Sequence, residues 1–198
     1  MIETTDTTFN VNIDALDSSF LDDLKKQLGP VELEIHIRKK PENWLTEADF
    51  WAIIDSFDWS QPDDDQAVLK PAVDKLATMP IANIHQFQDI LSEKLWLLDT
   101  KHHAQAFIDE HPNGRLSVDD FLYVRCAVVA EGQQYFSDVL QHPEKMPREI
   151  VFEALLFLAA EAYETKTQKP FIHTPKYNYE TYSNEDGWAL WVGLKQKN

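Results

Sequence analysis

Two groups of residues have types and spacing that could do chemistry. The first is residues 109–120, Asp109-Glu110-His111-Pro112-Asn113-Gly114-Arg115-Leu116-Ser117-Val118-Asp119-Asp120. A calcium loop wants oxygen ligands at its first, third, fifth, ninth and twelfth positions, glycine at the sixth and an apolar residue at the eighth. Asp109, Asn113, Gly114, Leu116, Ser117 and Asp120 fit. His111 does not, Pro112 is awkward, and Asp120 is shorter than the glutamate that binds through both oxygens. A simpler reading uses the same residues: Asn113-Gly114 turns the chain, and Ser117 with Asp120 caps a helix. The expectation is capping, with no metal bound.

The second group pairs aromatics with acids, Trp51 with Asp55 and Trp96 with Asp99, and adds Arg125. Trp51, Trp96, Asp99 and Arg125 would make a candidate pocket if they converged on one apolar cavity, and packing residues if they were spread through a core. Arg125 wants a carboxylate partner, for which Asp55 and Asp99 are candidates. His102 and His103 are adjacent, so they do not share a helical face as a zinc pair would. Cys126, the only cysteine, falls beside an apolar stripe and reads as an inert buried thiol. No phosphate-binding glycine loop, nucleophile elbow or paired catalytic motif is present. No cofactor is implied and no catalytic residue is assigned.

Charge constrains partners more than any motif. Eighteen Lys and Arg stand against 34 Asp and Glu, a formal net charge of −16. Such a surface repels phosphate backbones and anionic lipid, which disfavours nucleic acid and membrane and favours a basic protein partner. The densest acidic cluster is Asp55, Asp58, Asp63, Asp64 and Asp65, the expected contact for that partner. The start of the chain lacks a basic stretch followed by an apolar core, and no apolar run approaches membrane-spanning length, so a cytoplasmic protein is expected.

The elements that must position these residues follow from periodicity. Phe9, Val11 and Ile13 alternate with asparagines, and Val31, Leu33, Ile35 and Ile37 alternate with polar residues, so both segments read as strands. Between them, Phe20, Leu21, Leu24 and Leu28 mark a helix that Gly29-Pro30 ends. The fold class expected is therefore α+β, predominantly helical, with a small β-α-β appendage over residues 1–40. A two-stranded sheet leaves an edge open. Residues 177–181, where Tyr177, Tyr179 and Thr181 alternate, are expected to add a strand there, or a second copy to dimerise through residues 7–38. A helical domain should occupy residues 44–166, followed by an aromatic-rich tail over 167–198 that packs back on it. Within the domain, Thr46 with Asp49 and Ser117 with Asp120 mark helix starts. Pro71 threatens a kink and Gly132 a bend or close packing. The apolar run at residues 154–160 suggests that a helix over residues 149–165 is the central one.

Several short stretches carry a resemblance: Phe50-Trp51-Ala52-Ile53-Ile54-Asp55, Leu95-Trp96-Leu97-Leu98-Asp99, Asp119-Asp120-Phe121, Glu131-Gly132 ahead of Tyr135-Phe136, and Leu158-Ala159-Ala160-Glu161-Ala162-Tyr163-Glu164. In that order, over residues 44–164, the chain resembles a bacterial family known as domain of unknown function 4240. The resemblance implies an all-helical domain, brings no activity, and weakens the calcium reading. The first 40 residues resemble the short strand–helix–strand starts of some bacterial antitoxins. The function expected is a non-enzymatic protein-binding module of immunity, antitoxin or regulatory type. The alternative is an enzyme or metal-dependent regulator with a pocket in the helical body.

Overall fold

The computed structural model describes residues 22–23, 25–27, 29, 44–108 and 116–189, and the chain divides into two compact units, Met1–Lys40 and Pro41–Asn198. In the first unit, residues 22–23 and 25–27 are helical, and Gly29 at φ 71° donates its N–H to the Lys25 carbonyl at 3.0 Å. Glycine tolerates that left-handed conformation, which is why the helix ends there. The strands expected around this helix, and the dimer through residues 7–38, lie outside the described residues.

The described residues of the second unit are helical or irregular, with no strand among them. The α+β expectation is thereby corrected: the described chain is all-helical, and residues 177–181 form no strand. Alternation reports which side of an extended segment is covered, and a helix surface can cover it as well as a neighbouring strand can.

Local chemistry sets the helix starts. Helix α1, Glu47–Ile54, opens on a capping box in which Thr46 Oγ1 accepts the Asp49 N–H at 3.1 Å and Asp49 Oδ2 accepts the Thr46 N–H at 2.9 Å. Helix α2, Asp65–Thr78, starts where Asp64 accepts the Ala67 N–H, and it runs through Pro71. Helix α3, Ile81–Leu98, follows Pro80, and α4, Lys101–Ile108, follows directly. Helix α5, Val118–Ala130, begins at Ser117, whose hydroxyl accepts the Asp120 N–H at 3.3 Å. Residues 109–115 of the calcium-like loop lie outside the described residues; Ser117 and Asp120 take the capping role.

Gly132, at φ 94°, separates α5 from α6, Gln133–Gln141. A Cβ there would also stand 3.4 Å from Asp55 Oδ1, so the glycine serves a break more than tight packing. A 3₁₀ turn, Glu153–Phe157, then leads into α7, Leu158–Thr167. The expected central helix over residues 149–165 is corrected here. Its apolar run is shared between the 3₁₀ turn and the start of α7, and Phe157 is exposed. The helix buried on nearly every side is α5, with Phe121, Val124, Arg125, Cys126, Val128 and Val129 fully enclosed. It packs against α3, α6 and the 3₁₀ turn, while α2 lies along α7.

After α7, Gln168 turns left-handed at φ 56° and the chain runs out as an irregular strap over residues 171–184, ending in a short helix, α8, Glu185–Ala189. Burial alternates strictly along residues 171–180. Phe171, His173, Pro175, Tyr177 and Tyr179 face the body, and the residues between them are exposed.

Candidate functional site

The strap lies on one stripe of α3. His85, Asp89, Ser92, Trp96 and Asp99 recur at steps of four, three, four and three, which places them on a single helical face. At one end of the stripe, Asp89 Oδ1 receives His173 Nε2 at 2.8 Å and the Lys176 N–H at 3.0 Å. Next, Ser92 Oγ accepts the Tyr177 N–H at 3.4 Å, and the Trp96 ring meets the Tyr177 ring at 5.1 Å between centroids.

At the other end the fully buried Asp99 carboxylate gathers the strap. Its Oδ1 accepts the Tyr182 N–H at 3.2 Å and Trp188 Nε1–H at 3.0 Å, and its Oδ2 accepts the Asn184 N–H at 3.1 Å and the Ser183 hydroxyl at 3.3 Å. Four donors suit a buried carboxylate, whose desolvation would otherwise be prohibitive.

Arg125 stands beside it, also fully buried, with Nη1 4.0 Å from Asp99 Oδ1. Its other bonds go to the Phe121 carbonyl at 3.2 Å, the Leu95 carbonyl at 2.9 Å and the Thr181 hydroxyl at 3.0 Å, and that hydroxyl in turn donates to the Val118 carbonyl at 2.8 Å. Burial pulls the Arg125 guanidinium below its ordinary range, and the Asp99 carboxylate opposes that pull. The backbone of Tyr182, at φ 78°, is held left-handed where its N–H meets Asp99, with its ring 4.5 Å from that of Trp188.

Of the four expected pocket residues, Asp99 and Arg125 come together, and Trp96 adjoins them along α3. Trp51 does not join them. It packs on Phe136 at 5.4 Å, with its indole N–H toward Glu47 at 3.3 Å. Lys94, almost wholly buried, reaches Glu47 at 2.5 Å and lies 6.0 Å from the Trp51 ring centroid. The Lys94 ammonium holds the Glu47 carboxyl below the usual carboxylate range. Asp99 and Arg125 are both fully buried, and their polar atoms are taken up by the strap and by helix carbonyls. Two open grooves lie away from these residues, one along Met146, Pro147, Arg148 and Ile150 and another along Ala127, Glu131, Tyr135 and Ile150.

His103 is buried between the Thr100 hydroxyl at 2.7 Å and the Val139 carbonyl at 3.1 Å. A carbonyl only accepts, so Nε2 carries the proton and Nδ1 accepts from Thr100. Burial lowers the affinity of this imidazole for a second proton. The Cys126 thiol is fully buried, and burial pushes it up to about 12. Among the described residues, no three His, Cys, Asp or Glu side chains stand close enough to hold a metal ion. No helix among them is long and apolar enough to cross a membrane.

The acidic cluster is distributed over one turn and its two helix ends. Asp55 caps the end of α1, Asp58 accepts the Ser60 N–H at 3.1 Å, Asp64 caps α2, and Asp63 and Asp65 are exposed. From residue 44 to residue 69 the chain holds seven acids and no Lys or Arg. In the middle of this stretch sits Trp59, which the reading of the sequence passed over. It is 46% exposed, with its ring 5.4 Å from Phe152 and 5.9 Å from Phe57. Its place between Asp58 and the Asp63-Asp64-Asp65 run, with acids on both sides in sequence, was the signal for it.

A protein-family model described as a protein of unknown function (DUF4240) matches residues 45–165. No curated protein and no solved structure matches the chain. The match takes in α1 through most of α7 and stops before the strap.

Proposed function

Because the chain belongs to the DUF4240 family of proteins of unknown function, it inherits no chemistry, and we propose from its own surface that it is a non-enzymatic protein-binding module. Its partner would present a basic surface with an apolar spot, as the target of an immunity, antitoxin or regulatory protein would. The observation that carries this reading is Trp59, half-exposed in a turn whose sequence carries Asp55, Asp58, Asp63, Asp64 and Asp65 on either side of it. Binding energy concentrates on aromatic anchors, and a surrounding field of one sign steers the partner in. Phe57 and Phe152 stiffen the indole from behind, so little side-chain freedom is lost when it docks.

The test is calorimetric titration with an amphipathic lysine–leucine peptide, with an all-lysine peptide of the same charge as control. The lysine–leucine peptide is expected to bind more tightly than the control and to weaken as salt is raised. Trp59→Ala should cost it about 2 kcal/mol or more. Equal affinity for both peptides, or binding unaffected by Trp59→Ala, would overturn the reading.

A further inference from the structure

The His85 and His173 imidazoles lie face to face, with centroids 4.7 Å apart and planes within 3° of parallel. His85 belongs to α3 and His173 to the strap, so this stack holds the two elements together. Around it stand the Phe171 ring, 5.5 Å from His85, and the Tyr163 ring of α7, 5.9 Å from it. The titratable groups packed against the stack are Asp89 on α3 and Tyr163 on α7, while Lys176 on the strap is exposed. The Lys176 ammonium is turned over the Tyr177 ring at 5.0 Å. One carboxylate, Asp89, therefore serves two stacked imidazoles, and of the two rings it is bonded only to His173.

A stack of neutral rings, or one with a single proton balanced by Asp89, is stable. Two imidazolium rings at this separation repel each other, and their partial burial limits screening by water and salt. We propose that the His85–His173 stack is an acid-operated latch: once both rings carry a proton, residues 171–177 of the strap lift from α3 while the Asp99 end stays docked. The two ends respond differently because they are built differently. The Asp99 end is tied by backbone N–H groups, an indole and a hydroxyl, none of which gains a proton in mild acid. In support, burial first and His173 second hold the His85 ring below the ordinary histidine range, so His85 takes up its proton only as the solution becomes acidic. What the opening uncovers is the Asp89–Ser92 part of the α3 stripe, within the stretch matched to the family.

Amide hydrogen exchange on the full chain at about pH 7.5 and about pH 5, corrected for intrinsic rates, tests this. The Lys176 and Tyr177 amides, which donate to Asp89 and Ser92, should lose about tenfold or more of their protection in acid. The Tyr182 and Asn184 amides and those of α5 should keep theirs. Two variants, His85→Phe and His85→Gln, remove one of the two charges and should both hold the Lys176 and Tyr177 amides closed at the lower pH. Unchanged protection at Lys176 and Tyr177 in the parent chain would overturn the latch. So would parallel loss at all of these amides, or acid opening undiminished in both variants.

Discussion

The Asp99 anchor and the Trp59 turn are built from the same residue types, carboxylates beside indoles, and they use them in opposite ways. At the anchor one carboxylate is fully enclosed, receives four donors and takes the Trp188 indole N–H as one of them. At the turn, Asp55, Asp58, Asp63, Asp64 and Asp65 flank in sequence an indole that is nearly half in water. Enclosed charge must be matched within the molecule, so the anchor has nothing left to offer a ligand. Exposed charge is matched by solvent, which a partner can displace. Carboxylate density alone therefore separates the two poorly, whereas the accounting of donors separates them completely.

The contrast breaks most sharply if one member of the anchor is removed. Arg125→Met should destabilise the chain by about 3–5 kcal/mol, because it strips Asp99 of its nearest cation and leaves the Leu95 and Phe121 carbonyls with one donor fewer. Asp99→Ala should cost a similar amount. The double variant should lose less than the sum, because the charge each single change strands is then gone. Chemical denaturation of the four proteins reads this directly, and strict additivity would show that the two sites act independently.

At the turn the expected pattern is reversed. Trp59→Ala should lose about 2 kcal/mol or more of peptide affinity, while its denaturation midpoint moves little. A large fall in stability would make Trp59 a packing residue and erase the contrast. Gly132→Ala probes the border of the two regions, beside Asp55. The backbone conformation there is almost confined to glycine, and a cost of about 1–3 kcal/mol is expected from thermal denaturation.

The smallest effect expected is that of acid on the body. Burial lowers the His103 proton affinity in the folded chain, so as pH falls the unfolded chain takes up the proton first, near about 6.5. The contribution of His103 is thus complete above that pH, and it declines as pH drops toward the lowered folded value. Denaturation midpoints across that range should fall in the parent chain and fall less in His103→Gln. Equal slopes would show that this ring does not sense pH.

Much of the body was legible in the sequence. Thr46 with Asp49 and Ser117 with Asp120 announce helix starts by short-range hydrogen bonding, which needs no tertiary information. The apolar face of α3, through Ile84, Phe87, Leu91, Leu95 and Leu98, follows from periodicity alone. The second stripe of that helix, His85 through Asp99, has the same spacing but mixes polar and aromatic residues, so a hydrophobic reading passes over it. The tail's alternation was visible and its meaning was not, because a period of two does not say what covers the buried side. The pairing of Arg125 with Asp99 over Asp55 is decided by how the 25 residues between Asp99 and Arg125 fold back, which the sequence alone does not display. The apolar run at residues 154–160 misled for a related reason: without a period, length alone suggested one helix, and a tight turn took half of it.

The alternation along residues 171–180 also imposes a rule on length. Deleting or inserting one residue at any point upstream of Tyr177 would exchange the two faces beyond that point, sending Lys176, Asn178 and Glu180 toward the helix and Tyr177 and Tyr179 into solvent. A change of two residues would keep the faces and move only the anchors. Natural length variation in this segment should therefore come in even steps, while the outward residues Ile172, Thr174, Lys176, Asn178 and Glu180 drift freely in identity.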